Sequence, residues 1–446
     1  MVRDRRTEPA VLLRKEITLR HAVALYVSSV LGSGVLVLPG LAANFAGPAS
    51  LIAWVALSVA SYPFAYTFAS LSARRPESGG VYAFAKEAFG LHVATVTGWL
   101  FALWFITGAP AVTLIAASYV GFALPLTSGE TFAVAACIIV VAFLVNYRGI
   151  VFSNRVQLAI VGTIVALLLS AVAVSSGAVR LASFTPLAPH GYLAIGTAAA
   201  LIFWSYLGYE NVSNVAEEFR DPERDFMRSI AISVILVGVL YTAVAFVTVG
   251  TLAYEAGGSV APFAAIFAKV LGHYGRVGTA VLAVFIIFGA SNAYTAGMSR
   301  VLYAVARDRG LPQAFDHVNA RTGIPDRSLM LLSGSALVMV AVYYLLHVDL
   351  KTALLIPSGA AILVYIVGSA AGVRLLRDRG AKRALPWISL AMSVAVLPFL
   401  GALSLAALLT GAAALLYSRF ARPRATSSQV DAPGSALTTR ASDRDP

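Results

Sequence analysis

Charged residues are scarce in this chain of 446 residues. Asp, Glu, Lys and Arg together make up 12% of it, whereas a soluble globular protein carries about 25%. Hydrophobic residues make up 59%. Because so few charges cannot cover a water-facing surface over this length, most of the surface must face lipid. The composition excludes a soluble protein of two or three domains and predicts an integral membrane protein.

Cysteine is almost absent, and the residue patterns of enzymes are missing. The single Cys137 lies in an apolar run, which excludes an internal disulfide and disfavours a thiolate metal cluster. The six histidines show no metal-ligand spacing. No nucleophile–base arrangement or phosphate-binding glycine loop is present. We therefore expect no catalytic residues, no metal and no cofactor, and a protein that is not an enzyme.

The net charge of +12 does not indicate a nucleic-acid partner. The basic residues stand in short gaps between apolar runs and are not interleaved with aromatic residues on one soluble module. The partner that this distribution predicts is the lipid bilayer.

Runs long enough to cross a membrane recur along the whole chain. A spanning helix needs about 20 mostly apolar residues, and the sequence contains roughly twelve candidates. The last two are short, with Pro398 and Gly401 between them, and are either two helices or one kinked span. The candidates are Leu19–Ala43, Ser50–Leu71, Thr95–Leu124, Thr131–Val145, Val156–Val174, Leu193–Val215, Ile230–Ala253, Val277–Ala306, Ser328–Leu346, Thr352–Val373, Leu385–Leu397 and Leu403–Tyr417.

The basic residues predict the orientation. With a cytoplasmic N-terminus, 29 of the 33 Lys and Arg residues fall on the cytoplasmic side, the exceptions being Arg180, Lys269, Arg276 and Lys351. The prediction is a multi-pass protein of the cytoplasmic (inner) membrane. Residues 1–18 form a cytoplasmic segment, 19–420 the transmembrane domain and 421–446 a disordered cytoplasmic tail. The first apolar run lacks a cleavage site and is expected to be a retained helix.

Two spans carry residues that interrupt a helix. The first contains Gly32-Ser33-Gly34, followed by Pro39, and the sixth contains Gly208 and the acidic Glu210. Small-residue packing between helices is the alternative explanation for the first. These spans open two successive sets of five helices, which must run in opposite senses because five is odd. Interrupted helices at matching positions of inverted halves indicate the binding site of a transporter.

The ends of such half-helices suit a zwitterion. The half-helix after Gly34 offers free N–H groups to a carboxylate. The half-helices that end near Val30 and Tyr206 offer free carbonyl groups to an ammonium group. Together they match an amino acid without any charged side chain in the pocket.

Glu210 is the only acidic residue placed deep in a predicted span. A carboxylate at that depth costs about 2.5–3.5 kcal/mol on insertion scales, which favours a functional role in gating or proton coupling. Alternatively it caps the second half of the sixth helix. The two roles are compatible.

Five ordered motifs resemble those of the amino acid–polyamine–organocation transporters. The overall pattern is most similar to that of bacterial exporters of L-methionine and branched-chain amino acids within that superfamily. The motifs are Gly32-Ser33-Gly34-Val35 with Leu38-Pro39, Pro76-Glu77-Ser78-Gly79-Gly80-Val81-Tyr82, Trp204-Ser205-Tyr206-Leu207-Gly208-Tyr209-Glu210, Glu217-Glu218-Phe219-Arg220-Asp221-Pro222-Glu223-Arg224, and the basic stretch from Arg300 to Pro312.

The resemblance implies an all-α fold, an inverted repeat of five plus five helices with two peripheral ones. It implies a substrate carboxylate at Ser33 and Gly34, an ammonium group at the carbonyls of Val30, Trp204 and Leu207, an aromatic gate at Trp204 and a proton-sensitive gate at Glu210. The expected substrate-binding residues are Val30, Gly32, Ser33, Gly34, Trp204, Tyr206 and Leu207.

The sequence departs from some members of that superfamily in its fifth span. Val156–Val174 contains no lysine, so a built-in cation there is in doubt. Ser291 and Thr295 in the eighth span offer hydroxyl groups of the kind that sodium-coupled members use.

The prediction is secondary active transport of neutral, apolar amino acids by alternating access, with proton coupling or exchange. The alternatives are a sodium-coupled uptake permease and, from another class, a membrane-embedded enzyme or a receptor.

Overall fold

The computed structural model describes residues 13–252, 254, 262–396 and 404–420. These residues form fifteen α-helices and no β-strand; Ile17 and Phe219 make one isolated parallel bridge. The helices are α1 (Leu19–Val30), α2 (Gly34–Ala46), α3 (Ser50–Ala60), α4 (Tyr62–Arg74), α5 (Val81–Phe89), α6 (Leu91–Ala123), α7 (Ser128–Tyr147), α8 (Ile150–Ser176), α9 (Leu193–Phe203), α10 (Pro222–Gly250), α11 (Pro262–Arg307), α12 (Asp326–Leu345), α13 (Leu350–Leu375), α14 (Ala384–Ala395) and α15 (Ser404–Phe420).

Eight helical stretches of the described chain are long and apolar enough to cross a membrane, and two apolar helices, Leu193–Phe203 and Leu405–Ser418, are shorter. The prediction of an all-helical, multi-pass protein is confirmed at this level. The total of about twelve spans and the inverted repeat remain predictions. The eight stretches are Gly34–Arg74, Leu91–Ala123, Ser128–Tyr147, Ile150–Ser176, Pro222–Gly250, Leu271–Arg307, Asp326–Leu345 and Thr352–Leu375.

Helix starts follow local sequence signals. Asp221 accepts a hydrogen bond from the N–H of Arg224 at 3.3 Å ahead of Pro222, the first residue of α10. Asp349 likewise accepts from the N–H of Thr352 at 3.0 Å at the start of α13. These side chains satisfy N–H groups that have no partner within the helix.

Two of the predicted spans are discontinuous. The predicted run Leu19–Ala43 is divided between α1 and α2, with a first break at Leu31–Ser33. The predicted run Leu193–Val215 is α9, a second break at Trp204–Glu210 that includes one 3₁₀ turn, and then a 3₁₀ segment over Asn211–Glu218. Both predicted interruptions are therefore present as breaks in the helices.

The final predicted spans are separate helices, α14 and α15, and residues 397–403 between them lie outside the described part. Residues 1–12 and the predicted tail 421–446 also lie outside it. The long helix α6 packs along α11 and α13, while α10 packs along α1 and α4. Helices α10 and α11 pack against both broken segments, and α11 itself is kinked at Gly272, where φ is +55°.

The segment before α1 pairs with the chain that follows the second break. The N–H groups of Glu16 and Ile17 both donate to the carbonyl of Glu218 at 2.9 Å, and the N–H of Arg220 donates to the carbonyl of Ile17 at 3.0 Å. We call this pairing the terminal bridge. It connects the outer end of one broken helix to the outer end of the other.

Candidate functional site

The first break exposes the end of α1 and the start of α2. Leu31 has left the helical conformation with ψ of 54°, and the N–H of Gly32 turns back to the carbonyl of Val30 at 2.7 Å. A Cβ built on Gly32 would meet nothing within 4 Å, whereas one on Gly34 would collide with the side chain of Ser205. Gly32 therefore borders open space, and Gly34 permits close packing against the second break.

The second break lies directly against the first. Gly208 has a backbone φ of +133°, a value that residues other than glycine rarely adopt. A Cβ at Gly208 would lie 2.5 Å from the carbonyl oxygen of Ser29 and 3.0 Å from the N of Val30. The two breaks thus touch through their backbones, and glycine is required at this contact.

A tyrosine hydroxyl from a third helix joins the breaks. The hydroxyl of Tyr241 in α10 lies 2.6 Å from the carbonyl oxygen of Val30 and 3.0 Å from that of Ser205, and the side chain is fully buried. Since Gly32 also donates to Val30, both lone pairs of that carbonyl have donors nearby. Tyr241 was not among the residues predicted from the sequence.

A cavity of about 100 Å³ lies beside the two breaks. The hydroxyls of Ser205 and Ser291 in its lining are buried and have no hydrogen-bond partner among the described residues. The described lining contains no charged side chain. From the breaks and the helix ends beside them come Ser29, Val30, Gly32, Ser33, Gly34, Ser205 and Leu207, and from α6, α11 and α13 come Trp104, Phe105, Gly108, Ala109, Ala111, Val112, Ile287, Ala290, Ser291, Tyr294, Met298, Leu354 and Pro357.

Five of the residues predicted to bind substrate line this cavity: Val30, Gly32, Ser33, Gly34 and Leu207. Tyr206 is directed elsewhere, because its hydroxyl lies 2.7 Å from that of Ser58 and its ring packs on Trp54 and Tyr241. The side chain of Trp204, the predicted gate, lies outside the described part of the structure.

Glu210 is fully buried behind the cavity wall. Its oxygens accept hydrogen bonds from the hydroxyl of Tyr294 at 3.1 Å, from the hydroxyl of Tyr365 and from the N–H of Gly208 at 3.0 Å. Tyr294 itself lines the cavity. Glu210 therefore connects the second break to α11 and α13, and to the cavity through one side chain.

The sequence also suggested that Glu210 caps the helical segment that follows it. The structure contradicts this alternative, since Glu210 makes no side-chain capping bond to Asn211–Glu218. The physical reason is the turn at Gly208, which places a preceding N–H within reach of the carboxylate.

A buried ion pair holds the end of the segment that follows the second break. The guanidinium of Arg300 donates to Glu218 through Nε at 2.7 Å and through a terminal nitrogen at 3.2 Å. Their side chains are only 1% and 0% exposed. This pair and the terminal bridge both meet at Glu218, so the end of the broken segment is held by α11 and by residues 16–17.

Sequence reasoning missed Tyr241, Tyr294 and Tyr365. Each is a tyrosine within an apolar helix, and a buried hydroxyl there requires a hydrogen-bond partner. That requirement was a usable signal, although it does not identify the partner. Arg300, which the positive-inside distribution assigns to the cytoplasmic side, is 1% exposed and paired with Glu218.

Comparison with known proteins gives a consistent result. The family model described as amino acid permease matches residues 17–421. An amino acid permease of Bacillus subtilis, YecA, is 35% identical over 82% of this chain and 87% of its own length. The L-methionine/branched-chain amino acid exporter YjeH of Escherichia coli is 32% identical over 82% of this chain and 88% of its own. The branched-chain amino acid permease BcaP of Bacillus subtilis is 28% identical over 70% and 71%. The resemblance found in the motifs is confirmed, and the chain belongs to the amino acid permease family of amino acid–polyamine–organocation transporters.

Proposed function

We propose that this protein is a secondary active transporter of neutral, apolar amino acids that works by alternating access in the cytoplasmic membrane. The observation that carries the proposal is the uncharged cavity beside two touching helix breaks. It presents the N-terminal end of one half-helix and backbone carbonyl groups to the same small volume. An amino acid matches both, because its carboxylate accepts from the N–H groups at the helix start and its ammonium group donates to the carbonyl groups.

The carboxylate is assigned to the start of α2. Ser33 and Gly34 line the cavity there, and the first N–H groups of a helix have no partner within it. Ser33 makes no side-chain capping bond, so its hydroxyl is available to a ligand. The buried hydroxyl of Ser205, which has no partner among the described residues, lies in the same lining.

The ammonium group is assigned to carbonyls of Val30, Trp204 and Leu207. The Val30 carbonyl already has the Tyr241 hydroxyl and the Gly32 N–H as donors. An ammonium group that binds there has to share or displace one of these donors. We therefore expect the hydroxyl of Tyr241 to respond to substrate.

The side chain of the substrate is expected to be apolar. The wall away from the breaks is formed in part by Val112, Ile287, Met298, Leu354 and Pro357. A charged substrate side chain would lose its hydration against these residues without gaining a partner. The names of YjeH and BcaP, which specify methionine and branched-chain amino acids, agree with this expectation.

Glu210 is proposed as the gating element, with transport coupled to protons or to exchange. Protonation would weaken its hold on the hydroxyls of Tyr294 and Tyr365, which come from two different helices. The rival reading is a sodium-coupled permease. An enzyme or a receptor is the rival from another class, and neither is suggested by relatives that are named as permeases and exporters.

Reconstitution into proteoliposomes tests the proposal. Uptake of radiolabelled leucine is measured with an imposed proton gradient, a sodium gradient, or unlabelled leucine inside. Competition by methionine and isoleucine that exceeds competition by arginine and glutamate is the expected result. Stronger competition by arginine or glutamate would refute the apolar assignment, and stimulation by sodium alone would favour the rival coupling.

A further inference from the structure

A slot on the outside of the helix bundle is separate from the central cavity. It lies between α3, the start of α4, α8 and α10 and has a volume of about 690 Å³. Five apolar side chains of its walls are 44% to 72% exposed: Val55, Val59, Ile235, Val239 and Phe246. We call this slot the acyl groove.

The dimensions of the acyl groove distinguish between possible occupants. Along α10 it extends from Val234 to Phe246, which is ~18 Å at 1.5 Å per residue. That length is close to ~15 Å, half of the hydrocarbon thickness of a bilayer and hence the depth of one leaflet. A groove of this length accommodates an acyl chain that stays within one leaflet, whereas a helix that crosses the bilayer requires a contact surface ~30 Å long.

The chemistry of the lining points the same way. No charged side chain is present among the described residues of the groove, and its only polar side chains are those of Ser58, Tyr62 and Thr242. All of its helices belong to stretches long and apolar enough to cross a membrane: α3 and α4 to Gly34–Arg74, α8 to Ile150–Ser176 and α10 to Pro222–Gly250. We propose that the groove is a binding site for one acyl chain of a bilayer phospholipid.

The floor of the groove is connected to the helix breaks. Gly238 and Ser58 line the groove, and a Cβ on Gly238 would lie 3.1 Å from the Cβ of Ser58. The Ser58 hydroxyl lies 2.7 Å from that of Tyr206. The ring of Tyr206 packs edge-on against Tyr241 at 5.2 Å, and Tyr241 donates to the carbonyl of Val30. An acyl chain that presses on Ser58 is therefore linked to both breaks through Tyr206 and Tyr241.

Photocrosslinking tests occupancy without any transport measurement. The protein is reconstituted with a small fraction of phosphatidylglycerol that carries a diazirine in its acyl chain, and crosslinked peptides are mapped. We expect saturable labelling on residues 55–62 and 234–246. Val239→Trp should reduce it about tenfold, the effect of removing contact with roughly two methylene groups. Val338→Trp is the matched control, because Val338 in α12 is 65% exposed and lies outside the groove.

Several results would overturn the proposal. Labelling spread evenly over all lipid-facing helices would mean adventitious lipid contact only. Saturable labelling that Val239→Trp leaves intact would place the lipid elsewhere. In a companion experiment, a photoreactive amino acid at position 239 that crosslinks to a second copy of the chain would identify that copy as the occupant.

The functional consequence rests on the proposed transport activity and has its own test. Val239→Trp should change the rate of leucine uptake relative to Val338→Trp, and Ser58→Ala should abolish that difference by removing the bond to Tyr206. Equal rates in all backgrounds would overturn the connection to the breaks. Crosslinking remains readable even if leucine is not a substrate, so the two failures are distinguishable.

Discussion

The hydroxyl of Tyr241 lies 2.6 Å from the carbonyl oxygen of Val30, so a continuous helix holds the end of a broken one through a single side-chain atom. The same hydroxyl is 3.0 Å from the carbonyl of Ser205 in the other break. Tyr241 therefore holds both broken segments against α10. Their relative position depends on a group that neither segment contains as well as on their direct backbone contact at Gly208.

Tyr241→Phe should weaken substrate binding, because both carbonyls lose their shared donor and the breaks are less firmly positioned. We expect a loss of ~1 kcal/mol, about fivefold in apparent affinity for leucine. Tyr119→Phe is the matched control, since the buried Tyr119 hydroxyl donates at 2.8 Å to the carbonyl of Leu36 in α2, which does not line the cavity. An equal loss in both variants would show that only general stability had changed.

Gly32 and Gly34 should respond differently to the same substitution. Gly34→Ala forces a methyl group into the Ser205 side chain, so we expect a lower unfolding temperature and little transport. Gly32→Ala adds a methyl group where nothing lies within 4 Å, so folding should be preserved and the cavity narrowed. Competition assays should then favour alanine over leucine. Equal thermal destabilisation of both variants would contradict this distinction.

Glu210→Gln should flatten the pH dependence of transport while leaving substrate binding largely intact. Glutamine retains the size of the side chain and an oxygen acceptor for the Tyr294 hydroxyl, but it does not titrate. Glu217→Gln provides the control, because Glu217 is a neighbouring acid with a side chain 22% exposed, and its bond from the N–H of Ser78 at 3.2 Å can be kept by glutamine. A wild-type pH profile in Glu210→Gln would place the coupling elsewhere.

The Arg300–Glu218 pair should behave as a unit. Glu218→Met alone leaves Arg300 buried without its counter-charge, which should cost ~3–5 kcal/mol, whereas replacing both residues with Met should restore most of that loss. Lys86→Met is the comparison for an exposed pair, because Lys86 bonds Asp308 with side chains 42% and 18% exposed and such pairs contribute about 0–1 kcal/mol. Thermal unfolding of the single and double variants gives the measurement. Additive losses in the double variant would refute the coupling.

Labelling of single cysteines should report the orientation. In a Cys137→Ser background, Lys15→Cys and Arg180→Cys occupy two exposed positions that the positive-inside distribution assigns to opposite sides. A membrane-impermeant thiol reagent added to intact cells should label residue 180 and not residue 15. The reverse pattern would contradict a cytoplasmic N-terminus.

The positions of the breaks could be predicted from the sequence, but most of their contacts could not. Gly32, Gly34 and Gly208 mark the breaks because glycine loosens a helix and tolerates positive φ. Glu210 was identified by its charge in an apolar span. Its two tyrosine partners are 84 and 155 positions away in the sequence, which no local pattern specifies.

Tyr206 is a second residue whose contacts could not be predicted from the sequence. It was expected to bind substrate where a half-helix ends and offers carbonyl groups, and that stays a prediction; its side chain, in a 3₁₀ turn within the second break, is directed to Ser58. The direction of a side chain in an irregular segment depends on the local dihedral angles, and these are set by packing against α3 and α10.

The contact between Gly208 and the backbone of Ser29 restricts how this site can change by mutation. Every missense change at a glycine codon adds a Cβ, and at Gly208 that atom meets a peptide carbonyl and not a side chain. A second substitution at residue 29 or 30 cannot remove a carbonyl oxygen, so no compensating change at the point of contact exists. A suppressor of a Gly208 variant would have to move a whole helix. Genetic selection for revertants should therefore return glycine itself, or changes in α1 and α10 that let the two broken helices separate.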